Sequence, residues 1–164
     1  MCNLIYFQPR DDLTVKDNLE SFIIHCRDEL TLYEDQGGWQ SNNWKHEQKG
    51  RSIAMTFSKY REVSNPANFD PLEEPFLSFA KSYIRYNQSI KAVSSVTNKM
   101  VALRIIHDAL FEVHNDTNIL KIDGLVLNKV SELTALRISN DDRRNKVGYQ
   151  IQILLGFIRD KRFV

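Results

Sequence analysis

The spacing of apolar residues changes twice along the chain. Leu19, Phe22, Ile23, Cys26, Leu30 and Tyr33 recur every three or four positions, as on one buried face of a helix. Thr14, with Asp17 three residues later, supplies a start for that helix, and Gly37-Gly38 a stop. The period then shortens to two. Ile53, Met55 and Phe57 alternate with Ser52, Ala54, Thr56 and Ser58, as in a half-buried strand. With Trp39 and Trp44 in the preceding strand region and Lys49-Gly50 near the turn, this predicts a β-hairpin packed on the first helix. Met1 to Phe7 reads as a short strand limited by Pro9. Cys26 belongs to the apolar stripe and reads as a buried structural thiol; His25 beside it reads as an ordinary helix residue.

Three prolines lie within ten residues at Pro66, Pro71 and Pro75 and oppose regular structure there. Beyond them every pattern is helical. Phe76, Phe79, Ala80, Tyr83 and Ile84 form one stripe, with Ser78, Lys81 and Arg85 outside it. A loop is expected from Asn87 to Ser95. Val96, Met100, Leu103, His107 and Leu110 line a second helix running to about Val113, and His107 within that face reads as a core histidine. Residues 114–118 form a turn and 119–122 a short apolar lead-in. Asp123 caps a third helix whose inner face is Val126, Val130 and Leu133. The last helix covers about 140–160, with Val147, Ile151, Leu154, Leu155 and Ile158 inward. The predicted fold is mainly α: a small α+β N-terminal part (helix plus β-hairpin) over 1–65, a linker over 66–75, and a four-helix bundle over 76–164.

Composition adds a class and a compartment. Of the 164 residues, 42% are hydrophobic and 26% charged, as in ordinary globular proteins. No apolar run approaches the ~20 residues of a membrane helix. The N-terminus lacks a basic region followed by an apolar one, which argues against a secretory signal. Two cysteines make no disulfide framework and no metal-site spacing, which suits a reducing, cytoplasmic setting. The net charge of +1 is unevenly spread. Residues 71–164 hold 14 Lys+Arg against 10 Asp+Glu, or +4; residues 1–70 hold 8 against 11, or −3. The second half is the better partner for nucleic acid.

The candidate chemistry lies at two helix starts. Ser94 and Ser95 offer caps before Val96, and Thr97, Asn98 and Lys99 follow in the first turn, with Arg104 further along. Ser139, three residues before Asp142, resembles a capping box, and Arg143, Arg144, Asn145 and Lys146 fill the next turn. Asn145, Lys146, Tyr149 and Gln152 face away from the apolar stripe. Helix N-termini attract phosphate, and Lys, Arg, Asn and Gln are the side chains that reach base edges in a major groove. Charge at a helix start is also an ordinary solvated surface, so these residues alone leave both readings open.

The order of these stretches resembles the core-binding domain of tyrosine recombinases, the phage-integrase family. The likeness covers residues 72–164. It rests on Pro75-Phe76-Leu77-Ser78-Phe79-Ala80, then Ser94-x-x-Thr97-Asn98-Lys99, then Ile119-Leu120-Lys121-Ile122-Asp123, then 139–146. Asp141 and Asp142 depart from it, placing negative charge where the family often has Ser or Arg. The resemblance implies half of a C-shaped clamp on double-stranded DNA at the crossover site, with the second and fourth helices against the major groove and backbone. Lys99, Arg104, Arg143, Arg144 and Lys146 would then neutralise phosphates. Thr97, Asn98, Asn145 and Gln150 would reach base edges or phosphate, Lys91 would meet the backbone from its loop, and both cationic helix tips would face one concave surface. It further implies a bacterial, nucleoid-associated setting and assembly with other recombinase protomers on DNA. The family's catalytic arginines, Lys, His-x-x-Arg and nucleophilic Tyr belong to a separate C-terminal domain. The chain is therefore expected to be a non-catalytic, DNA-binding fragment of a longer recombinase.

The residues themselves agree on catalysis. The sequence holds no Gly-rich phosphate loop and no Gly-x-Ser-x-Gly. His107 and His114 are seven positions apart with no carboxylate–His motif, so neither a metal nor another cofactor is expected. A helix-turn-helix reading lacks the short Gly-containing turn between helices. The alternative from a different class is a helical protein-interaction module without DNA binding, anchored by Trp39, Trp44 and Tyr33.

Overall fold

A computed structural model describes residues 6–60, 70–90 and 95–164. Among these, five α-helices and one two-stranded antiparallel sheet follow in the order α1 (Val15–Asp28), β1 (Asn43–Gln48), β2 (Arg51–Thr56), α2 (Phe76–Ile90), α3 (Val96–His114), α4 (Gly124–Arg137) and α5 (Asp141–Asp160). The mainly α fold, with a helix and hairpin ahead of a helical bundle, is the one the apolar spacing predicts. The expected strand over Met1 to Phe7 and the 66–75 linker fall partly outside the described residues, as does Lys91.

The helix starts follow their caps. Thr14 Oγ1 accepts from the Asp17 backbone N–H at 3.1 Å and donates to its carboxylate at 2.7 Å, a reciprocal cap for α1. Asp123 accepts from Val126 N–H at 2.9 Å and starts α4. Two caps differ from expectation. Ser95 sits at φ 61° and makes no side-chain cap bond, so α3 begins without one. For α5 the cap is Asn140, one residue beyond Ser139, accepting from Arg143 N–H at 2.8 Å. Other boundaries move too. α1 ends at Asp28, nine residues before Gly37, and the chain between makes the 3₁₀ turn Glu34–Gln36, entered with Tyr33 at φ 67°. α2 runs on to Ile90, into the first part of the expected loop. In the hairpin, Lys49 and Gly50 both have positive φ (50° and 73°), and Trp44 pairs with Met55 on the buried face.

One core joins the N-terminal elements to the bundle. Phe22 of α1 lies 5.5 Å from both Tyr86 of α2 and Phe157 of α5, and 5.2 Å from Phe163. Trp44 is fully buried, stacked on Tyr33 at 4.9 Å and edge-on to Phe57 at 4.8 Å. Lys81 and Arg85, expected outside the α2 stripe, point inward. Arg85 is fully buried between Trp39 and Trp44 and donates to the Leu30 carbonyl at 2.6 Å and to Glu34 at 2.6 Å. Longer contacts of 3.4 and 3.3 Å reach the carbonyls of Cys26 and Arg27, so this guanidinium closes the C-terminal end of α1. Lys81 donates to the Trp39 carbonyl at 2.6 Å, and burial lowers its pKa. The second half of the α2 stripe thus carries cations because the hairpin unit supplies carbonyls and rings to receive them.

Helix directions decide what the bundle can present. The start of α2 meets the far half of α3: the Phe76 and His107 rings lie 5.5 Å apart, and Glu73 N–H donates to His107 Nε2 at 3.2 Å. The start of α5 meets that same end, because Arg137, four residues before it, pairs with Asp108 of α3 at 2.6 Å. The end of α5 reaches the opposite end of α2, with Phe157 5.1 Å from Tyr83 and 5.8 Å from Tyr86. So α5 runs with α2 and against α3.

Candidate nucleic-acid interface

The antiparallel pairing separates the two helix starts. Val96 precedes Asp108 by twelve residues, about 18 Å of helix, so the first turns of α3 and α5 lie at opposite ends of the pair. The expectation that both tips face one concave surface is corrected: a short local match in sequence carries no information on which way two helices run past each other. Thr97 (exposed), Asn98 and Lys99 (both half-buried) form one polar patch, and Arg143, Asn145 and Lys146 (all exposed) another.

Two expected contacts turn inward. Arg104 donates from Nε to the Ser58 carbonyl at 2.9 Å and from Nη2 to the Thr56 carbonyl at 2.8 Å. Burial lowers its pKa, with Asp108 opposing that effect. Its guanidinium satisfies the Ser58 carbonyl just past the hairpin and shares the Thr56 carbonyl with the Ser58 backbone N–H, which donates to it at 2.9 Å. Gln150 is 7% exposed and faces the core, and its Oε1 has no protein partner. At 3.6 residues per turn it falls with Val147, Ile151 and Leu154. Gln152, two positions on, is exposed instead.

What remains at the surface is the outer side of α5. Arg143 is exposed, with its backbone N–H on the Asn140 cap. Arg144 is half-buried, donating to the Ile138 carbonyl at 2.9 Å and pairing with Asp141 at 2.9 Å. Lys146 pairs with Asp142 at 2.6 Å. Asp141 and Asp142 also lie in the first helical turn, where carboxylates suit the dipole. Next come Tyr149, 61% exposed, Gln152, and Ile153, 38% exposed. Between Lys146 and Arg159 the helix carries no charged residue on any side. A surface helix normally covers its outer side with charge; here a neutral strip lies between ion pairs, Arg144–Asp141 and Lys146–Asp142 before it and Arg159–Asp160, at 3.4 Å, after it.

Beneath the start of α5 lies a half-buried polar chain. His107 Nδ1 meets Asp108 at 2.7 Å, Asp108 meets Arg137 at 2.6 Å, and Arg137 lies over the Tyr60 ring at 4.3 Å while Tyr60 OH donates to its carbonyl at 3.2 Å. Because His107 Nε2 accepts from Glu73 N–H, its proton sits on Nδ1, facing Asp108. His107 is a satisfied core histidine. Sequence spacing did not show this chain, since its members come from four segments.

Beside the strip, α4 and α5 diverge around a groove of about 520 Å³ with Leu127, Val130, Ile151 and Leu155 as its floor and Asn145 and Gln152 on its rim. Tyr33 and Trp44, candidate anchors for a protein partner, are both buried and unavailable. Among the described residues, no cluster of three His, Cys, Asp or Glu can hold a metal, and no helix is long and apolar enough to cross a membrane. No protein-family model, curated protein or solved structure matches the chain.

Proposed function

We propose that residues 72–164 bind duplex DNA for a site-specific recombinase of the tyrosine type. The reading assigns α5 to the major groove and the first turn of α3 to a second, separate backbone contact. The observation that carries it is the layout of α5: Arg143 and Lys146 at one end, Arg159 at the other, and a charge-free, exposed strip between. Lys146 and Arg159 are thirteen residues apart, about 20 Å of helix. That exceeds the roughly 12 Å width of a major groove, so the two ends reach the flanking phosphates while the middle lies over base edges. The order of motifs shared with the core-binding domain supports the same reading. The role is to hold DNA; strand cleavage belongs to the catalytic domain that the resemblance implies.

Anisotropy titration of labelled mixed-sequence duplex against salt tests it. Binding is expected to be saturable at low salt, with a log–log slope of about −0.9 per neutralised phosphate. Arg143→Ala with Lys146→Ala flattens the slope by roughly 1–2 units. Absence of saturable binding at low salt refutes the reading; an unchanged slope removes these two residues from the interface.

One observation favours a second reading, a protein-docking module. The α4–α5 groove is apolar-floored, and Leu125 and Leu136 on α4 are 64% and 77% exposed. This reading needs no duplex binding, so the same titration separates the two.

A further inference from the structure

We infer that the outer face of α4 pairs antiparallel with the same face of a second copy of this chain, forming a two-fold dimer. The inference names a partner for the exposed leucines of the docking reading above and does not depend on DNA binding. Three observations carry it. First, α4 is apolar on two sides. Val126, Val130 and Leu133 are buried in the bundle, while Leu125 and Leu136 stand outward and are the two most exposed large hydrophobic side chains among the described residues. A surface helix with one core to cover needs one apolar side. Second, the outward leucines belong to a regular seam. Leu125, Lys129, Glu132 and Leu136 are spaced four, three and four apart, the alternation of a coiled-coil seam. Third, that seam reads apolar, cation, anion, apolar. Its charged centre is assembled in the single copy: Lys129 Nζ lies 3.1 Å from both carboxylate oxygens of Glu132 and 3.1 Å from Glu112 of α3.

Charge order then selects the partner and its direction. The two leucines and the two charged residues share one midpoint, between Val130 and Ser131. A two-fold axis there sets Leu125 of one copy against Leu136 of the other, and Lys129 of one against Glu132 of the other. A copy running parallel in the same register would set Lys129 on Lys129 and Glu132 on Glu132. A polar layer inside an apolar seam fixes register and orientation in this way, at a cost in affinity. The internal pairs need not break. An ammonium has three donors and a carboxylate several acceptor sites, so Lys129 keeps Glu112 while Glu132 of the second copy joins the cluster. The 14 residues of α4 span about 21 Å. One such helix pair falls short of the roughly 800 Å² per partner of a standard interface, so the dimer is weak, with a Kd between about 10 μM and 1 mM.

Sedimentation equilibrium of the whole chain without DNA, up to about 1 mM, tests this. A reversible monomer–dimer equilibrium is expected. Leu136→Lys weakens it about tenfold or more, while Ile24→Lys, which alters an exposed apolar residue of α1, leaves it unchanged. Lys129→Glu and Glu132→Lys each set like charges together in their own dimer and weaken it about threefold or more. Mixed in equal amounts, the two variants set Glu against Lys at both central contacts and recover wild-type association. These side chains lie at or near the surface, and circular dichroism checks that each variant folds. Three outcomes overturn the inference while leaving the duplex titration untouched: a monomer at every concentration, a dimer indifferent to Leu136→Lys, or a mixture of the charge variants that associates no better than either alone.

Discussion

Arg85→Met removes the one guanidinium that joins α1, the hairpin and the bundle. Methionine keeps the apolar stem that lies between Trp39 and Trp44 but donates nothing. The Leu30 carbonyl, now held at 2.6 Å, is left buried without a donor. A hydrogen bond to a charged group contributes about 1.5–3 kcal/mol, and a buried unpaired acceptor costs about 1–3 kcal/mol. The contacts at 3.3 and 3.4 Å are long and add little. Glu34 is 53% exposed and regains water when its partner goes, so the ion pair itself contributes below about 1 kcal/mol. The expected loss is about 3 kcal/mol, most of it from the orphaned Leu30 carbonyl. Urea unfolding followed by tryptophan fluorescence measures it, since both indoles flank the altered site. Glu34→Gln is the control, with an expected loss below about 1 kcal/mol. If Arg85→Met costs less than 1 kcal/mol, or if Glu34→Gln costs as much as Arg85→Met, the carbonyls are not what this arginine serves. Because Phe22, Tyr86, Phe157 and Phe163 form a shared core, unfolding should remain a single transition in the variant; two separate transitions would refute a continuous core.

Asp142→Asn frees Lys146 from its 2.6 Å pair and removes a negative charge from the proposed interface, so duplex affinity should rise about threefold or more at low salt and the gain should fade as salt is added; equal or weaker binding in anisotropy would count against Lys146 as a phosphate contact. Arg104→Met should destabilise by about 1.5–3 kcal/mol in urea unfolding, chiefly through the Ser58 carbonyl, since the Thr56 carbonyl keeps the Ser58 backbone N–H, while leaving the salt slope of duplex binding unchanged; a flatter slope with full stability would return Arg104 to the surface set.

Local pattern made the elements legible. The alternation over 52–58 specifies a strand because one hairpin face is buried against α3, Tyr33 and Arg85, and the helical stripes specify helices because each meets the shared core. What stayed illegible was set by partners distant in sequence. Lys81 and Arg85 look like solvent positions on α2 until the carbonyls of Leu30 and Trp39 are brought to them. Arg104 looks like a surface cation until the end of the hairpin lies beside it. Ser95 looks like a cap, but its positive φ takes its side chain away from the free N–H groups of α3. The three cations are each received by carbonyls more than 40 residues away, beyond any window of helical spacing, whereas Ser95 is decided by its own backbone conformation.

The candidate site follows the same division. A helix surface is a local property, so Asn145 and Lys146 could be placed outward from spacing alone, and Gln150 could have been placed inward by the same count, since it lies one turn from Val147 and Leu154. The direction of packing is not local. Two helix starts with similar composition look like a pair of matching tips, yet the short 138–140 connection starts α5 beside Asp108, which lies twelve residues, about 18 Å of helix, along α3 from its first turn. A clamp assembled from the two tips is therefore replaced by one helix lying along its length. In the DNA-binding reading proposed above, the first turn of α5, where Asp141 and Asp142 pair with Arg144 and Lys146, would have to release those pairs to meet phosphate, whereas Gln152 and Tyr149 in the uncharged middle turns are already exposed.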